Sequence, residues 1–130
     1  MRELSSHKVN GCNEAIKVTA LDGPGPGGAS HRYEIEWPDC VVDEPGVGHC
    51  GGNTLTIDFQ NGPIKEVGTN GVTHEALLAV LIDRLEGFQS GPFANPFNAD
   101  ALLHLRLAQD ALLSRTRERL ARGVEGTLTV

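Results

Sequence analysis

The chain has 130 residues, with 11 basic and 17 acidic side chains, a formal net charge of −6 and an aromatic content of only 5%. Its length predicts one domain with a substantial core, and its acidic balance disfavours general binding to nucleic acid polymers, which requires a positive field. The charge is uneven, because residues 1–100 carry a net −8 and residues 101–130 a net +2.

The N-terminal residues contain no apolar run typical of a signal peptide, and no segment reaches the roughly 20 apolar residues of a membrane helix. These features predict a soluble cytoplasmic protein without a membrane partner. The three cysteines, Cys12, Cys40 and Cys50, are an odd number, which is not typical of a secreted disulfide framework. We therefore expect reduced thiols.

The first half of the chain predicts a small antiparallel sheet. Apolar and polar residues alternate with period two at 16–20, 33–37 and 55–59, which is typical of half-buried strands. Residues 39–53 consist mainly of loop formers, and we expect a loop between the second and third of these strands.

A hairpin is predicted directly after the third strand. Asn61-Gly62 is the strongest short-range hairpin signal when extended residues flank it. We therefore expect 54–60 to pair antiparallel with 63–67, with Pro63 as the first residue of an edge strand.

The second half of the chain predicts two helices. From Thr73, a good N-cap, apolar residues recur with the helical period of 3.6. After a turn rich in glycine and proline, Asn98 is the predicted N-cap of a second helix that runs to about Arg122. Gly123 then supplies the left-handed terminator.

Together these elements predict an α+β fold in a single domain, 1–130. Residues 1–72 form a small antiparallel β layer with glycine- and proline-rich loops, and 73–123 form an antiparallel helical hairpin. Residues 124–130 are expected to form a tail or a short strand.

The second predicted helix is apolar on most of its circumference. Its leucines, placed about 100° apart per residue, do not fall into one stripe; they are Leu102, Leu103, Leu105, Leu107, Leu112, Leu113 and Leu120. One small sheet and one partner helix cannot surround such a helix. We therefore expect the protein to oligomerise through its helices.

Three arginines of this helix share one face, because Arg115, Arg119 and Arg122 follow i, i+4, i+7 spacing. One interpretation is a solvated helix end whose cations favour the C-terminal dipole. The other is an anion site, because the planar arginine fork grips phosphate and stacks on bases. If the face extends an oligomer interface, symmetry brings its copies together around a shared pocket.

The turn between the helices holds half of the six aromatic residues, Phe88, Phe93 and Phe97. They either plug the end of the hairpin or form a stacking platform for a base. Asn98 is either a helix cap or a reader of a base edge. An aromatic, an amide and an arginine together are a common way to bind a nucleotide.

No motif points to catalysis. The glycine run at 23–28 lacks the ending of a P-loop, His74-Glu75 does not extend to a zinc-protease motif, and Gly-x-Ser-x-Gly is absent. Cys12, Cys40, His49 and Cys50 contain no Cys-x-x-Cys pair. The sequence therefore predicts no enzyme, no metal site and no cofactor.

Several segments resemble the phage Thoeris anti-defence proteins of the first type, a family related through its helical hairpin to a phage anti-CBASS sponge. The resemblance covers most of the chain outside 39–53 and is carried by VNGCNEA, FQNGPIKEVGTNGVTHEALL, RLEGFQSGPF and RERLARGVEGT. It implies a non-enzymatic oligomer, a dimer or a hexamer, that sequesters cyclic ADP-ribose isomers made by bacterial TIR enzymes in the cytoplasm of the infected host. Some members of the family also hold cyclic di- or trinucleotides at a second kind of site.

Position by position, Phe88 and Asn98 resemble the family's aromatic and asparagine at the ADP-ribose pocket, and Arg115 and Arg119 resemble its arginine pair. Phe93 and Arg122 join these candidates on chemistry alone. Two other classes of function stay open from the residues: a phage enzyme that degrades a nucleotide signal, and a virion or assembly protein that binds no small ligand.

Overall fold

The computed structural model describes residues 1–44, 46–127 and 129–130. Contacts between Cα atoms divide the chain into two compact units, Met1–Asn61 and Gly62–Val130. The first unit contains the strands and the second contains the long helices, so the predicted α+β fold with an N-terminal antiparallel sheet is confirmed.

The main sheet of the first unit has four antiparallel strands, which are β1 (Arg2–Leu4), β2 (Lys17–Ala20), β3 (Arg32–Trp37) and β6 (Asn53–Asp58). They lie side by side in that order, and a short helix, α1 (Gly11–Glu14), connects β1 to β2 along the chain. The three strands predicted from period-two alternation are thus confirmed. Register places Ile35 opposite both Val18 and Leu55, so these apolar side chains share one face.

The segment 39–53, predicted to be a loop, instead contains a hairpin. Its strands β4 (Cys40–Glu44) and β5 (Val47–Cys50) pair antiparallel, and Cys40 lies directly opposite Cys50. The two cysteines form a disulfide, and Cys12 is exposed and free. The expectation of reduced thiols is therefore wrong for this pair, because the hairpin brings together two cysteines that counting alone left unmatched.

The hairpin predicted at Asn61-Gly62 is also wrong. Strand β6 pairs with β3 instead, and the chain enters a short helix, α2 (Ile64–Val67), for which Pro63 is the N-cap. Gly62 has the positive φ of 92° that the turn signal requires. Pro63, with its fixed φ and no N–H, starts a helix as readily as an edge strand.

Two long helices form the hairpin of the second unit, α3 (His74–Gln89) and α4 (Pro96–Arg122). Thr73 caps α3 as predicted, its hydroxyl accepting from the N–H of Ala76 at 3.2 Å. The predicted C-cap Gly123 has the left-handed conformation, φ 73° and ψ 20°.

The predicted start of the second helix is wrong by three residues. Asn95 is the N-cap, and its side-chain oxygen accepts from the N–H of Asn98 at 2.8 Å. Pro96 occupies the first helical position, where its missing N–H costs nothing. Asn98 therefore lies inside the helix, and its own amide is not used as a cap.

The two helices pack along one side of α4. Ile82 and Leu102 are buried between them, and Arg106 forms an ion pair with Glu86 at 2.8 Å. On the other side of α4, Leu103 and Leu107 are 53% and 54% exposed. Oligomerisation through this side stays a prediction. No helix in the described ranges is long and apolar enough to cross a membrane.

Candidate functional site

The turn end of the helical hairpin has a fixed backbone. Gln89 reaches across the turn to Asn95, whose N–H donates to Oε1 of Gln89 at 3.0 Å and whose carbonyl accepts from Nε2 at 3.2 Å. The Asn95 side chain also donates to the carbonyl of Phe93 at 3.1 Å. The residues around the turn are thus held in place by side chains of the same turn.

Three phenylalanines surround this fixed turn, and they differ in exposure. Phe88 is half-buried, whereas Phe93 is 72% and Phe97 86% exposed. Leaving an aromatic ring in contact with water is unfavourable in free energy. Phe93 and Phe97 do not plug the hairpin within one chain, so the faces of their rings are accessible to a ligand or to another copy.

Arg84 lies one helical turn before Phe88, with its Cζ atom 5.0 Å from the centroid of the ring. This distance is within the range of a cation–π interaction. Arg84 is exposed, so its guanidinium group stands at the surface beside the aromatic ring.

Asn98 is half-buried in the first turn of α4, four residues before the buried Leu102. Its backbone N–H is held by Asn95, but its side-chain amide has no hydrogen-bond partner in the parts of the chain that the structure describes. A half-buried amide with both donor and acceptor unused is suited to reading a base edge or a ribose hydroxyl.

The three predicted arginines lie at the opposite end of α4, and they differ from one another. Arg115 is exposed and forms no ion pair within the described ranges. Arg122 is bound at the surface, where it pairs with Glu118 and donates to the carbonyl of Val130 at 3.0 Å. Arg119 is buried, with 6% of its surface exposed.

The Arg119 guanidinium binds four residues that follow α4. Its Nε donates to the Glu125 carboxylate at 3.1 Å, and Nη2 donates to the carbonyls of Val124 and Thr127 at 2.9 and 3.1 Å. Nη1 donates to the carbonyl of Thr129. The donors of Arg119 are thus used within the chain, and residues 124–127 and 129–130 belong to a tail folded onto the end of α4.

The six predicted residues form two separate clusters. Asn98 and Arg115 are 17 residues apart on one helix, which at 1.5 Å per residue separates them by about 26 Å. We call Arg84, Phe88, Phe93, Phe97 and Asn98 the turn cluster, and Arg115, Arg119 and Arg122 the arginine cluster. No single nucleotide spans both clusters within one chain.

The sequence analysis did not identify Arg84, a member of the turn cluster, or Gln89, which holds the turn. Arg84 has an i, i+4 relationship to Phe88, a signal readable from the sequence. The clamp by Gln89 has no such signal, because it depends on where the second helix begins. Among the described residues, no group of three or more His, Cys, Asp or Glu side chains is placed to hold a metal ion.

Comparison with known proteins assigns the helical hairpin to a known family. A family model described as "Acb2/Tad1, hairpin domain" matches residues 52–117, half of the chain. The protein named "Thoeris anti-defense 1" of Bacillus phage SBSphiJ7 is 47% identical over 76 residues, which are 58% of this chain and 54% of that protein. The match thus spans about half the length of this curated relative.

The matched hairpin domain contains the whole turn cluster and Arg115, while Arg119 and Arg122 lie beyond its end. The identity with the phage protein and the domain match agree with the resemblance that the sequence segments indicated. The chain therefore belongs to the Acb2/Tad1 hairpin-domain family.

Proposed function

We propose that the protein is a phage anti-defence sponge. It binds cyclic nucleotide immune signals, first of all the glycocyclic ADP-ribose isomers made by TIR enzymes, and keeps them from their receptor without cleaving them. The observation that carries this proposal is the turn cluster, where an unused half-buried amide stands near exposed aromatic rings on a fixed turn. The family membership and the relative's name support it.

The chemistry of the turn cluster fits a nucleotide with an adenine ring. Phe88 and Phe93 offer π faces, on which a base gains about 1–3 kcal/mol of stacking. The Asn98 amide has a donor and an acceptor for the edge of that base or for a ribose hydroxyl. The two phenylalanines and Asn98 give affinity for the ring system, and binding of the phosphates requires cations in addition.

The arginine cluster supplies cations for phosphate, with Arg115 as its available member. Copies of the hairpin packed as a dimer or hexamer would bring Arg115 of one copy to a site shared with others. That site is either the rest of the ADP-ribose pocket or a second pocket for cyclic di- or trinucleotides. In this proposal Arg119 and Arg122 contribute once a ligand competes with the tail for their donors.

Sequestration is tested by depletion and release. The purified protein is incubated with a panel of cyclic ADP-ribose isomers and cyclic oligonucleotides, and the free ligand is measured before and after heating. A sponge depletes at least one ligand and returns it intact on heating. Altered ligand after heating would establish an enzyme that degrades the signal, and no depletion of any ligand would favour a virion or assembly protein.

Two variants test which nucleotides the turn cluster and the arginine cluster bind. Phe88→Ala should abolish depletion of cyclic ADP-ribose isomers, and the double variant Arg115→Ala/Arg119→Ala should abolish depletion of at least one class of nucleotide. Unchanged calorimetric affinity for every nucleotide in the double variant would rule out the arginine cluster. The site of action in this proposal is the cytoplasm of the infected bacterium, where such signals are made.

A further inference from the structure

One side of α3 carries a surface on which Phe88 has two neighbours that the sequence did not predict as site residues. At about 100° per residue, Arg84, Gly87 and Phe88 fall within one arc of the helix. Arg84 stands over the Phe88 ring at 5.0 Å. We call these three residues the α3 face.

Arg84 is a cation without an acidic partner. No ion pair of Arg84 occurs among the described residues, in contrast to Arg106, which is paired with Glu86 at 2.8 Å. Its neighbours one helical turn away on α3 are all uncharged; they are Val80, Leu81, Gly87 and Phe88. A guanidinium group is more weakly hydrated than an ammonium group, and without an acidic partner its fork of donors stays available for an oxyanion.

Gly87 is a glycine that the packing of this chain does not require. It lies inside α3, where glycine is less stable than alanine, and its φ is not among the positive values. A Cβ atom added at Gly87 would meet no other atom within 4 Å. A helical glycine with open space before it allows a close approach of something outside the chain.

We propose that the α3 face is part of the ligand site, with Arg84 as a phosphate-binding residue and Gly87 as the position over which the ligand lies. The ligand class is a nucleotide whose base stacks at Phe88 while an adjacent phosphate reaches the Arg84 guanidinium. This inference rests on the proposed function and extends it, because it supplies a cation to the turn cluster within the same chain. A pyrophosphate bridge between two riboses matches this combination of ring and charge.

The test uses two substitutions with matched controls. Arg84→Met should weaken calorimetric affinity for cyclic ADP-ribose isomers by about 10- to 100-fold, and Arg84→Lys should fall between Arg84→Met and the wild type because it keeps charge without the fork. The control is Arg117→Met, which removes another exposed arginine that has no ion pair among the described residues. It should leave affinity within about twofold of the wild type.

The variant Gly87→Ala distinguishes an effect on ligand binding from an effect on stability. It should raise the melting temperature by about 4 °C through better helix propensity, yet weaken nucleotide affinity at least tenfold. Ser114→Ala, at an exposed position of α4, should raise stability without changing affinity. If Arg84→Met and Gly87→Ala both bind normally while Phe88→Ala does not, the inference on the α3 face is wrong and the proposed function stands.

Two other outcomes have equally defined meanings. If Gly87→Ala changes the sedimentation coefficient and leaves affinity unchanged, then Gly87 faces another copy of the chain and its assignment to the ligand is overturned. If the wild type binds no nucleotide of the panel, the proposed function itself fails.

Discussion

Arg119 and Glu125 form an ion pair at 3.1 Å in which only 7% of the arginine side chain and 32% of the glutamate side chain are exposed. The same guanidinium also donates to backbone carbonyls of the tail. Arg119 is therefore primarily a structural anchor within one chain, while Arg115, one turn earlier on the same helix, is exposed.

The first prediction separates these two arginines. Arg119→Ala should lower the free energy of unfolding by on the order of 3 kcal/mol, because it leaves a partly buried carboxylate and several carbonyls unpaired. Arg115→Ala should change it by less than about 0.5 kcal/mol. Chemical denaturation measures both, and hydrogen exchange should show faster exchange in 124–130 only for Arg119→Ala. Equal stability of the two variants would contradict the anchoring role.

The second prediction concerns Asp22 in the first unit. Its carboxylate accepts from the backbone N–H groups of Arg32 and His31, each at 3.0 Å, and these hydrogen bonds hold the pKa of Asp22 below its ordinary value. A depressed folded-state pKa stabilises the fold above the ordinary pKa of aspartate, near 4. That stabilisation is lost as the pH falls through the folded-state pKa.

Asp22→Asn should therefore melt at a lower temperature than the wild type at pH 7. The gap between the two melting temperatures should close as the pH falls below about 4 and through the folded-state pKa of Asp22. Melting curves across that pH range measure it. A gap that is constant with pH would show that the charge of Asp22 does not contribute to the stability of the fold.

The third prediction concerns the Cys40–Cys50 disulfide. Thiol labelling of the oxidised native protein should modify one cysteine, Cys12, and labelling after reduction should modify three. Closing a loop of this size typically stabilises a protein by about 2–3 kcal/mol, so the double variant Cys40→Ala/Cys50→Ala should be less stable. Cys12→Ala is the matched control. Three reactive thiols in the oxidised protein would show that the pair does not form.

The fourth prediction concerns the outward side of α4. Leu103→Glu/Leu107→Glu should convert an oligomer into a folded monomer in sedimentation experiments, because each buried leucine contributes about 1.5–3 kcal/mol to an interface. Circular dichroism should show unchanged helix content, since these side chains are more than half exposed in one chain. A wild-type protein that stays monomeric at micromolar concentration would refute oligomerisation through this face.

The fifth prediction concerns the clamp across the helical turn. Gln89→Ala removes the two hydrogen bonds between Gln89 and the Asn95 backbone and should cost about 1–2 kcal/mol of stability. It should also weaken nucleotide binding, because Phe88 and Asn98 flank the clamp. Ser90→Ala, which removes only a hydrogen bond to the Gly87 carbonyl, should bind as the wild type does. Normal binding by Gln89→Ala would separate the clamp from the site.

The sequence predicted those elements whose signals are local. Period-two alternation located three strands, and Thr73 and Gly123 marked the beginning of α3 and the end of α4. Asn95 and Asn98 are both good capping residues. Asn95 is the N-cap in the structure, because Pro96 then occupies the first helical position. Propensity alone does not distinguish two candidates three residues apart.

Contacts between residues distant in the chain could not be predicted from local sequence signals. Strands β4 and β5 contain few strand-forming residues besides their valines, and the feature that marks their pairing, Cys40 opposite Cys50, joins residues ten positions apart. The burial of Arg119 depends on a tail that returns to it from up to ten residues later. Spacing along a helix reports which residues share a face, but not what covers that face.

The Gln89–Asn95 clamp also has a kinetic consequence. Because these hydrogen bonds fix the turn during folding, no loop has to be ordered when a ligand arrives, and the entropy lost on binding is smaller. Affinity gained by preorganisation is usually expressed as slower dissociation. In the proposed role as a sponge, this residence time is the decisive quantity, since a captured molecule is kept from its receptor only while it stays bound.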